Sequence, residues 1–471
     1  MANLIIFSGM QEPEHYAVRS GGQYQLASWL RQFGYTVKVI DFCFKIPPET
    51  IEQIARKHID NDTIAFGVST TFWEIVKISL NGQEVGGVTV PKWLKHLRTV
   101  FKHEYPNIKW IAGGANSLSP VLEDDWVRIN YFAEDETLSY LDKLTDKTEI
   151  RPKFDIQNFT KTYSDEDFIQ SYETLSIEIS RGCIFKCKFC QFPLIGRKKG
   201  TNIRKEEDIR AELIKNYEKF GTTKYYFSDD TFNESLDKVQ MIHRISKSLP
   251  FTLEYIAYLR LDLLATYPEM ITLLPESGLR SAFFGIESFQ IEGAKVIGKG
   301  WNGQYAKDFL LKIKEQWKNK TNWWIGMIVG LPGWSKEQEE LDIKWLIEND
   351  MSCWWHWALY INPINVKNNQ KWVSEFEKNY EKYGYTFTDD NFVNWTNGDL
   401  VHVELQEIAE DINARTHKYK KVAGFRIGEF STTLKCKMID LININESDVS
   451  RELLLKNTQD FLNDYIRKNL E

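Results

Sequence analysis

The part of the chain from residue 174 to 365 repeats a unit of one strand and one helix about six times. Each predicted strand is a short apolar run, and each helix carries apolar residues at helical spacing. Strands that alternate with helices form parallel sheets whose crossover helices cover the strands. Barrels of this kind carry their chemistry at the carboxyl ends of the strands. We therefore expect functional residues in the loops that follow these strands.

The first 145 residues alternate strands and helices in the same way. This order indicates a Rossmann-like, doubly wound parallel sheet whose ligands bind at the carboxyl ends of the strands. The apolar runs predict strands over 4–8, 36–42, 63–69, 109–112 and 131–133. The predicted domains are the Rossmann-like unit 1–145, a polar linker 146–173, the barrel 174–365 and a mainly helical C-terminal region 366–471.

Composition excludes several classes of protein. The chain of 471 residues is 42% hydrophobic and 27% charged, which is typical of a globular protein with two or three domains. A net charge of −7 does not indicate a nucleic-acid partner. The N-terminus lacks the pattern of a signal peptide, and no apolar run is long enough to span a membrane. We expect a cytoplasmic protein without a membrane partner.

Three cysteines follow the first strand of the repeat in the pattern CxxxCxxC: Cys183, Cys187 and Cys190. Three thiolates hold three irons of a 4Fe–4S cluster and leave the fourth iron open to a small molecule. A zinc site or three packed thiols are the alternatives, but zinc mostly takes four ligands, often as two CxxC pairs. The other cysteines are isolated: Cys43, Cys353 and Cys436.

The run from Arg181 to Cys190 reads RGCIFKCKFC and resembles the signature of radical S-adenosylmethionine (SAM) enzymes, including the aromatic residue before the third cysteine. The resemblance implies a partial (β/α)6 barrel in which the three cysteines hold a 4Fe–4S cluster and SAM chelates the open iron. It also implies that an electron donor such as flavodoxin or ferredoxin drives cleavage of SAM to a 5'-deoxyadenosyl radical.

Four later strand ends also match motifs of this family. They read FSDDTF at 227–232, YLRLD at 258–262, FGIES at 284–288 and GMIVGLPGW at 326–334. The chain departs from the family at Trp334, where Glu or Asp is common. The resemblance assigns to SAM binding the residues Phe189, Asp229, Asp230, Arg260, Glu287, Ser288, Ile328 and Gly330.

Structural roles are the alternative for several of these residues. One Asp of the pair can cap the next helix, and Phe189 can pack in the core. Arg260 can pair with Asp262 or Glu287. On the sixth strand, alternation separates His356 from Cys353. His356 is either an acid or base near the substrate or a hydrogen-bonded core residue, and Cys353 is either a hydrogen-atom donor or a packed thiol.

Three runs follow predicted strands of the N-terminal unit: VSTT at 68–71, AGG at 112–114 and AEDE at 133–136. In these runs the unit resembles the cobalamin-binding domain that precedes many radical SAM barrels. Small residues in its loops would let the backbone approach a large flat ring. The loop after the first strand departs from the family because it has no DxHxxG, so no histidine is placed to bind cobalt from below. The alternative is a degenerate domain that only packs on the barrel. The residues that the resemblance assigns to cobalamin are Ser69, Thr70, Gly113, Gly114 and Glu134.

These patterns favour a cobalamin-dependent radical SAM methyltransferase that acts on an unactivated carbon of an unidentified organic substrate. A second hypothesis keeps the radical chemistry without cobalt and leads to oxidation, cyclisation or rearrangement. A third is a non-catalytic binding protein on an inactivated barrel, and the intact cysteines and Asp229 argue against it.

Overall fold

The computed structural model describes residues 2–11, 15–73, 75–80, 83–119, 121–192, 194–299, 303–362, 373–387 and 394–471. The predicted boundary at residues 365 and 366 lies outside these ranges. Within them, no helix is long and apolar enough to cross a membrane.

The N-terminal part contains a parallel sheet of five strands in the order β2-β1-β3-β6-β7. Four helices cover it, and a short antiparallel hairpin, β4–β5, leaves it after β3. The strands are β1 Leu4–Phe7, β2 Val37–Ile40, β3 Ala65–Ser69, β4 Ile75–Leu80, β5 Gln83–Val88, β6 Lys109–Gly113 and β7 Val127–Ile129. The helices are α1 Gly22–Arg31, α2 Pro48–Arg56, α3 Lys92–Glu104 and α4 Glu134–Leu144.

Two details of this sheet differ from the sequence-based expectation. The edge strand is Val127–Ile129, and residues 131–133 are not a strand. Tyr131 and Phe132 have φ values of 46° and 44°, which are left-handed, so the chain turns there into α4. The β4–β5 hairpin was not predicted.

The central part forms a parallel sheet of six strands that are adjacent in sequence order, from β8 to β13. This order confirms the predicted repeat. The strands are β8 Thr174–Ile177, β9 Lys224–Phe227, β10 Glu254–Leu259, β11 Leu279–Glu287, β12 Asn322–Val329 and β13 Cys353–Ala358. The helices are α5 Glu206–Phe220, α6 Leu236–Ser248, α7 Leu261–Thr266, α8 Met270–Glu276, α9 Ile291–Val296, α10 Gly303–Trp317 and α11 Lys336–Glu348.

Alternation along these strands gives the central sheet two different faces. One face packs against the helices and forms the main core, to which Tyr255, Phe284 and Trp323 belong. The other face carries Tyr226, Tyr258, Phe283 and Trp324 and meets residues of the C-terminal region. We refer to this second face as the barrel interior.

The C-terminal region holds the two sheets together. Its helix Phe425–Thr433 (α14) packs in the barrel interior, where Phe425 contacts Tyr258. Its last helix, Arg451–Leu470 (α15), packs on the N-terminal unit, where Phe461 and Tyr465 contact Phe42. Its elements are α12 Glu375–Lys378, β14 Thr386–Phe387, β15 Trp395–Asn397, β16 Leu400–Val401, α13 His402–Thr416, α14 Phe425–Thr433 and α15 Arg451–Leu470.

Candidate active site

The cysteine loop begins directly after β8, at the carboxyl end of the first barrel strand. Cys183, Cys187 and Cys190 are free thiols, each partly exposed. They are close enough for their charges to interact, and burial raises the pKa of Cys190 to about 12. Cys183 shares a hydrogen bond of 3.3 Å with the Thr231 hydroxyl. The loop therefore presents three neighbouring thiols and no disulfide.

These thiols fit a 4Fe–4S cluster better than a single ion. In the described part of the chain, no three His, Cys, Asp or Glu side chains come together to hold one metal ion. Each thiolate of a cluster binds a different iron, so the three sulfurs need not converge. Arg260 donates to the Cys187 sulfur at 3.6 Å, so a guanidinium lies beside this thiol.

Asp229, at the end of β9, is fully occupied by structural partners. Its carboxylate accepts hydrogen bonds of 2.7 Å from the Ile179 amide and from the Ser180 hydroxyl. It also pairs with the buried Lys238 ammonium. These bonds fix the start of the cysteine loop to β9. Neither Asp caps the next helix, because α6 is capped by Ser235.

Asp230 differs from its neighbour. Among the described residues, no hydrogen bond or ion pair reaches its carboxylate, and burial together with the charge of Asp229 raises its pKa to about 7. It lies within electrostatic range of Cys183 and Cys190. Of the two predicted carboxylates, Asp230 is therefore the one with oxygens available to a ligand beside the cysteine loop.

Arg260 forms the ion pair that the sequence left open as an alternative. Its Nε and Nη2 bind the two Asp262 oxygens at 3.0 and 2.6 Å. Its third nitrogen points to Cys187, and its guanidinium lies 3.8 Å from the centre of the Phe185 ring. The ion pair and a position at the cysteine loop are therefore compatible.

Glu287 and Ser288 stand at the carboxyl end of β11. Glu287 has a φ of +67°, where the β11–β12 register shifts, and a strained backbone of this kind is common at functional sites. Its carboxylate binds the Lys299 ammonium at 2.8 Å, so it does not pair with Arg260. The Ser288 hydroxyl is buried and accepts a hydrogen bond of 3.0 Å from the Gln290 amide.

The motif at the end of β12 is covered by the C-terminal region. Gly330 has a φ of +88°, and a Cβ there would lie 2.8 Å from the Trp395 ring. The Tyr385 hydroxyl donates to the Gly330 carbonyl at 2.9 Å. Phe189 and Ile328 pack against the same cluster. These residues therefore shape one wall beside the cysteine loop, and Phe189 has the packing role that was its alternative.

His356 lies on the helix side of β13, away from the barrel interior. It is buried and shares a hydrogen bond of 2.8 Å with Glu339 of α11. Cys353 lies on the interior side but packs against Trp324, and burial raises its thiol pKa to about 11. The geometry supports the core interpretation for His356 and the packed-thiol interpretation for Cys353.

The residues assigned to cobalamin lie at the carboxyl ends of β3 and β6. Ser69 ends β3, and the Thr70 hydroxyl donates to the Gly113 carbonyl at 2.8 Å. Gly114 has a φ of +99°, and a Cβ there would lie 2.3 Å from the Thr71 hydroxyl. These loops are therefore held close together by their own backbone, with small residues at the sheet edge.

Glu134 connects the N-terminal unit to the cysteine loop. Its Oε1 accepts hydrogen bonds from Arg181 at 2.9 Å and from Gln25 at 2.8 Å. Arg181, two residues before the first cysteine, also binds both Glu178 oxygens at 2.9 Å. The buried guanidinium stacks over Phe132 at 4.7 Å. Sequence reasoning missed this role, although a charged residue beside Gly182 in the cysteine motif was a signal for it.

Comparison with known proteins agrees with this geometry. Residues 177–346 match the model of the radical SAM superfamily. The chain therefore contains a radical SAM domain, and the prediction made from the cysteine loop is confirmed. Within the described residues this match begins in β8 and ends in α11.

Two curated proteins share part of this sequence. An uncharacterised methyltransferase of Pyrococcus horikoshii is 28% identical over 173 residues, which are 36% of each chain. The hopanoid C-2 methylase of Rhodopseudomonas palustris is 30% identical over 132 residues, 27% of this chain and 24% of the methylase. The chain thus spans only about a third of the length of the Pyrococcus methyltransferase and about a quarter of the length of the hopanoid methylase.

Two solved structures share the fold over a longer range. OxsB, a cobalamin-dependent SAM radical enzyme solved with aqua-cobalamin and SAM, matches with a TM-score of 0.58 and 15% identity, over 99% of this chain and 80% of OxsB. TsrM is a radical SAM methyltransferase of Kitasatospora setae that was solved with tryptophan and a SAM analogue. It matches with a TM-score of 0.54 and 14% identity, over 77% of this chain and 74% of TsrM. The predicted order of a Rossmann-like sheet, a barrel and a helical region is confirmed.

Proposed function

We propose that this protein is a radical SAM methyltransferase that depends on cobalamin and methylates an unactivated carbon of an organic substrate. The observation that carries this proposal is the group of three free thiols at the carboxyl end of β8, beside the Asp230 carboxylate, which no described residue binds. A 4Fe–4S cluster bound there supplies the electron that splits SAM. A small protein such as a flavodoxin or a ferredoxin would be the electron donor.

The residues around the thiols are suited to orient SAM. Asp230 has open oxygens for the ammonium group of the methionyl part, and charge-assisted hydrogen bonds of this kind are strong. Arg260 carries the positive charge that the methionyl carboxylate of SAM requires.

The rest of SAM would meet the next strand ends. Glu287 and Ser288 stand at the end of β11 for the ribose. Ile328, Gly330 and Phe189 provide the wall for the adenine.

The edge formed by Ser69, Thr70, Gly113 and Gly114 is suited to cobalamin, which would supply the methyl group. It lies on the same unit as Glu134, whose bond to Arg181 brings this unit to the cysteine loop. Because Glu134 already binds Arg181 and Gln25, we assign it to that junction. Small residues at the edge allow close approach of the corrin ring.

A cobalamin-independent radical reaction is the second candidate. The observation that favours it is the loop after β1, which offers no DxHxxG histidine to bind cobalt. The N-terminal unit would then act as a scaffold that holds Arg181 and the cysteine loop in place.

One anaerobic experiment tests both candidates. Protein reconstituted with iron, sulfide and hydroxocobalamin is desalted, its absorbance and EPR spectra are recorded, and 5'-deoxyadenosine is measured after reduction with SAM. We expect a 4Fe–4S signal, retained corrinoid and 5'-deoxyadenosine. Cys183→Ala should lose the cluster signal and the product, whereas Cys436→Ala, which removes an isolated thiol, should keep both.

The outcomes separate the hypotheses. Product without retained corrinoid would reject the cobalamin-dependent reaction and leave the second candidate. Absence of a cluster and of 5'-deoxyadenosine in the wild-type protein would reject radical chemistry as a whole.

A further inference from the structure

One carboxylate in the barrel interior is not used by the proposed cofactors. Glu429 of α14 is 8% exposed, and no hydrogen bond or ion pair from a described residue reaches its carboxylate. The charged and titratable groups that face it are Tyr16, Tyr226, Arg426 and Lys45. Arg426 is itself paired with Glu446, so its positive charge is already compensated.

The lack of a partner distinguishes Glu429 from other buried carboxylates of the barrel. Glu254 binds Arg280 at 3.1 Å and accepts the Met438 amide at 2.9 Å. Glu212 binds Arg204 at 2.9 Å. A buried carboxylate without a partner is destabilised by desolvation, and burial accordingly raises the pKa of Glu429 to about 7. A ligand that brings a positive charge would remove this cost.

Glu429 shares a helix face with Phe425, because residues four apart on a helix are neighbours. The Phe425 ring centre lies 5.0 Å from that of Tyr258, 5.8 Å from Tyr226 and 6.2 Å from Phe283. These four rings form an aromatic floor in the barrel interior. The floor continues through Trp324, whose ring lies 5.8 Å from that of Phe283.

The aromatic floor is connected to the cysteine loop. Tyr258 lies within electrostatic range of Asp230, which in turn lies within range of Cys183 and Cys190. The aromatic floor therefore extends from the helix that carries Glu429 toward the residues beside the cysteine loop.

We propose that Glu429 and the aromatic floor form the substrate subsite, and that the substrate carries a flat aromatic group and a cationic nitrogen. The nitrogen pairs with the Glu429 carboxylate, and the aromatic group stacks on Phe425 and its neighbours. This inference rests on the proposed function, because it makes the barrel interior the reaction chamber.

The test uses two simple probes of opposite charge, 2-phenylethylamine and phenylacetate. Binding to the full-length reconstituted protein is measured by isothermal titration calorimetry and by ligand-observed NMR. We expect the amine to bind at least ten times more tightly than the acid. Glu429→Gln should weaken amine binding at least tenfold, and Phe425→Leu should weaken it about threefold. Glu410→Gln, which changes an exposed glutamate, should have no effect.

The readouts also separate this inference from the proposed function. Removing an unpartnered buried charge should leave the melting temperature of Glu429→Gln unchanged or higher, whereas a structural glutamate would give a less stable variant. Equal binding of both probes, no binding of either, or full amine binding by Glu429→Gln would overturn the subsite. If 5'-deoxyadenosine still forms in the same samples, only the subsite proposal falls.

Discussion

The two parallel sheets of this chain place polar residues at the carboxyl ends of their strands in opposite ways. At the ends of β8 and β9, no described residue binds the Asp230 carboxylate, and the cysteine sulfurs have only long hydrogen bonds, such as those of 3.3 Å with Thr231 and 3.6 Å with Arg260. At the ends of β3 and β6, the Thr70 hydroxyl donates a hydrogen bond to the Gly113 carbonyl. The Asn116 backbone amide donates to the Thr70 hydroxyl at 3.1 Å, and the Asn116 side-chain amide donates to the Thr70 carbonyl at 2.9 Å. The barrel is thus built to bind reactive groups, and the N-terminal edge is built as a closed platform.

The same contrast appears within the barrel. Asp229 is satisfied on every side and holds the cysteine loop, whereas its sequence neighbour Asp230 is open. Residue type therefore does not decide which carboxylate binds a ligand. The number of internal partners decides it, and four substitutions test this comparison.

The largest effect is expected from Lys238→Met. It leaves the Asp229 carboxylate buried without its cation, which costs about 3–5 kcal/mol in the free energy of unfolding. Urea denaturation measures this loss. Lys468→Met, at a partly exposed pair with Asp464, is the control and should cost less than about 1 kcal/mol. A small loss at Lys238 would mean that the paired carboxylate is not the anchor of the loop.

Glu429→Gln is expected to change stability in the opposite direction. Burial raises the pKa of Glu429 from 4.5 to about 7. Between these pH values the folded protein keeps a proton that the unfolded chain releases, so the wild type loses stability as pH rises through this window. Gln does not titrate and should remove up to about 3 kcal/mol of this loss. Unfolding curves at pH 5 and pH 8 measure the difference, and equal pH dependence in both proteins would contradict it.

Glu134→Gln probes the junction between the two sheets. Loss of the charge that binds Arg181 should cost about 2 kcal/mol, because hydrogen bonds to charged groups contribute about 1.5–3 kcal/mol. We expect weaker retention of corrinoid with unchanged iron content, both measured after desalting. Glu136→Gln, two residues further along α4 and exposed, should behave as the wild type. Loss of iron together with corrinoid would show that the junction also supports the cysteine loop.

The smallest effect is expected at the N-terminal edge. Gly114→Ala places a Cβ against the Thr71 hydroxyl at a φ of +99°, which should cost about 1–2 kcal/mol. Thermal unfolding measures this cost. Gly22→Ala, where a Cβ meets nothing within 4 Å, is the control. Equal stability of the two variants would mean that the edge is looser than its hydrogen bonds indicate.

Much of the fold could be predicted from the sequence because parallel strands and their helices leave a regular apolar pattern. The six barrel strands and four of the five N-terminal strands were found in this way. The fifth was misplaced because the left-handed backbone at Tyr131 and Phe132 is set by the turn into α4 rather than by side-chain type. The β4–β5 hairpin was missed although the sequence between its strands is Asn81-Gly82, a strong signal for a two-residue hairpin turn.

By itself the sequence determined the chemistry available to this protein, because the spacing of Cys183, Cys187 and Cys190 is a local property of one loop. Only the tertiary structure decided which polar groups stay open. Asp229 meets Lys238, His356 meets Glu339, and Glu134 meets Arg181 through contacts between separate elements. Burial and pairing are properties of the packed chain, so the open carboxylates of Asp230 and Glu429 become visible only after folding.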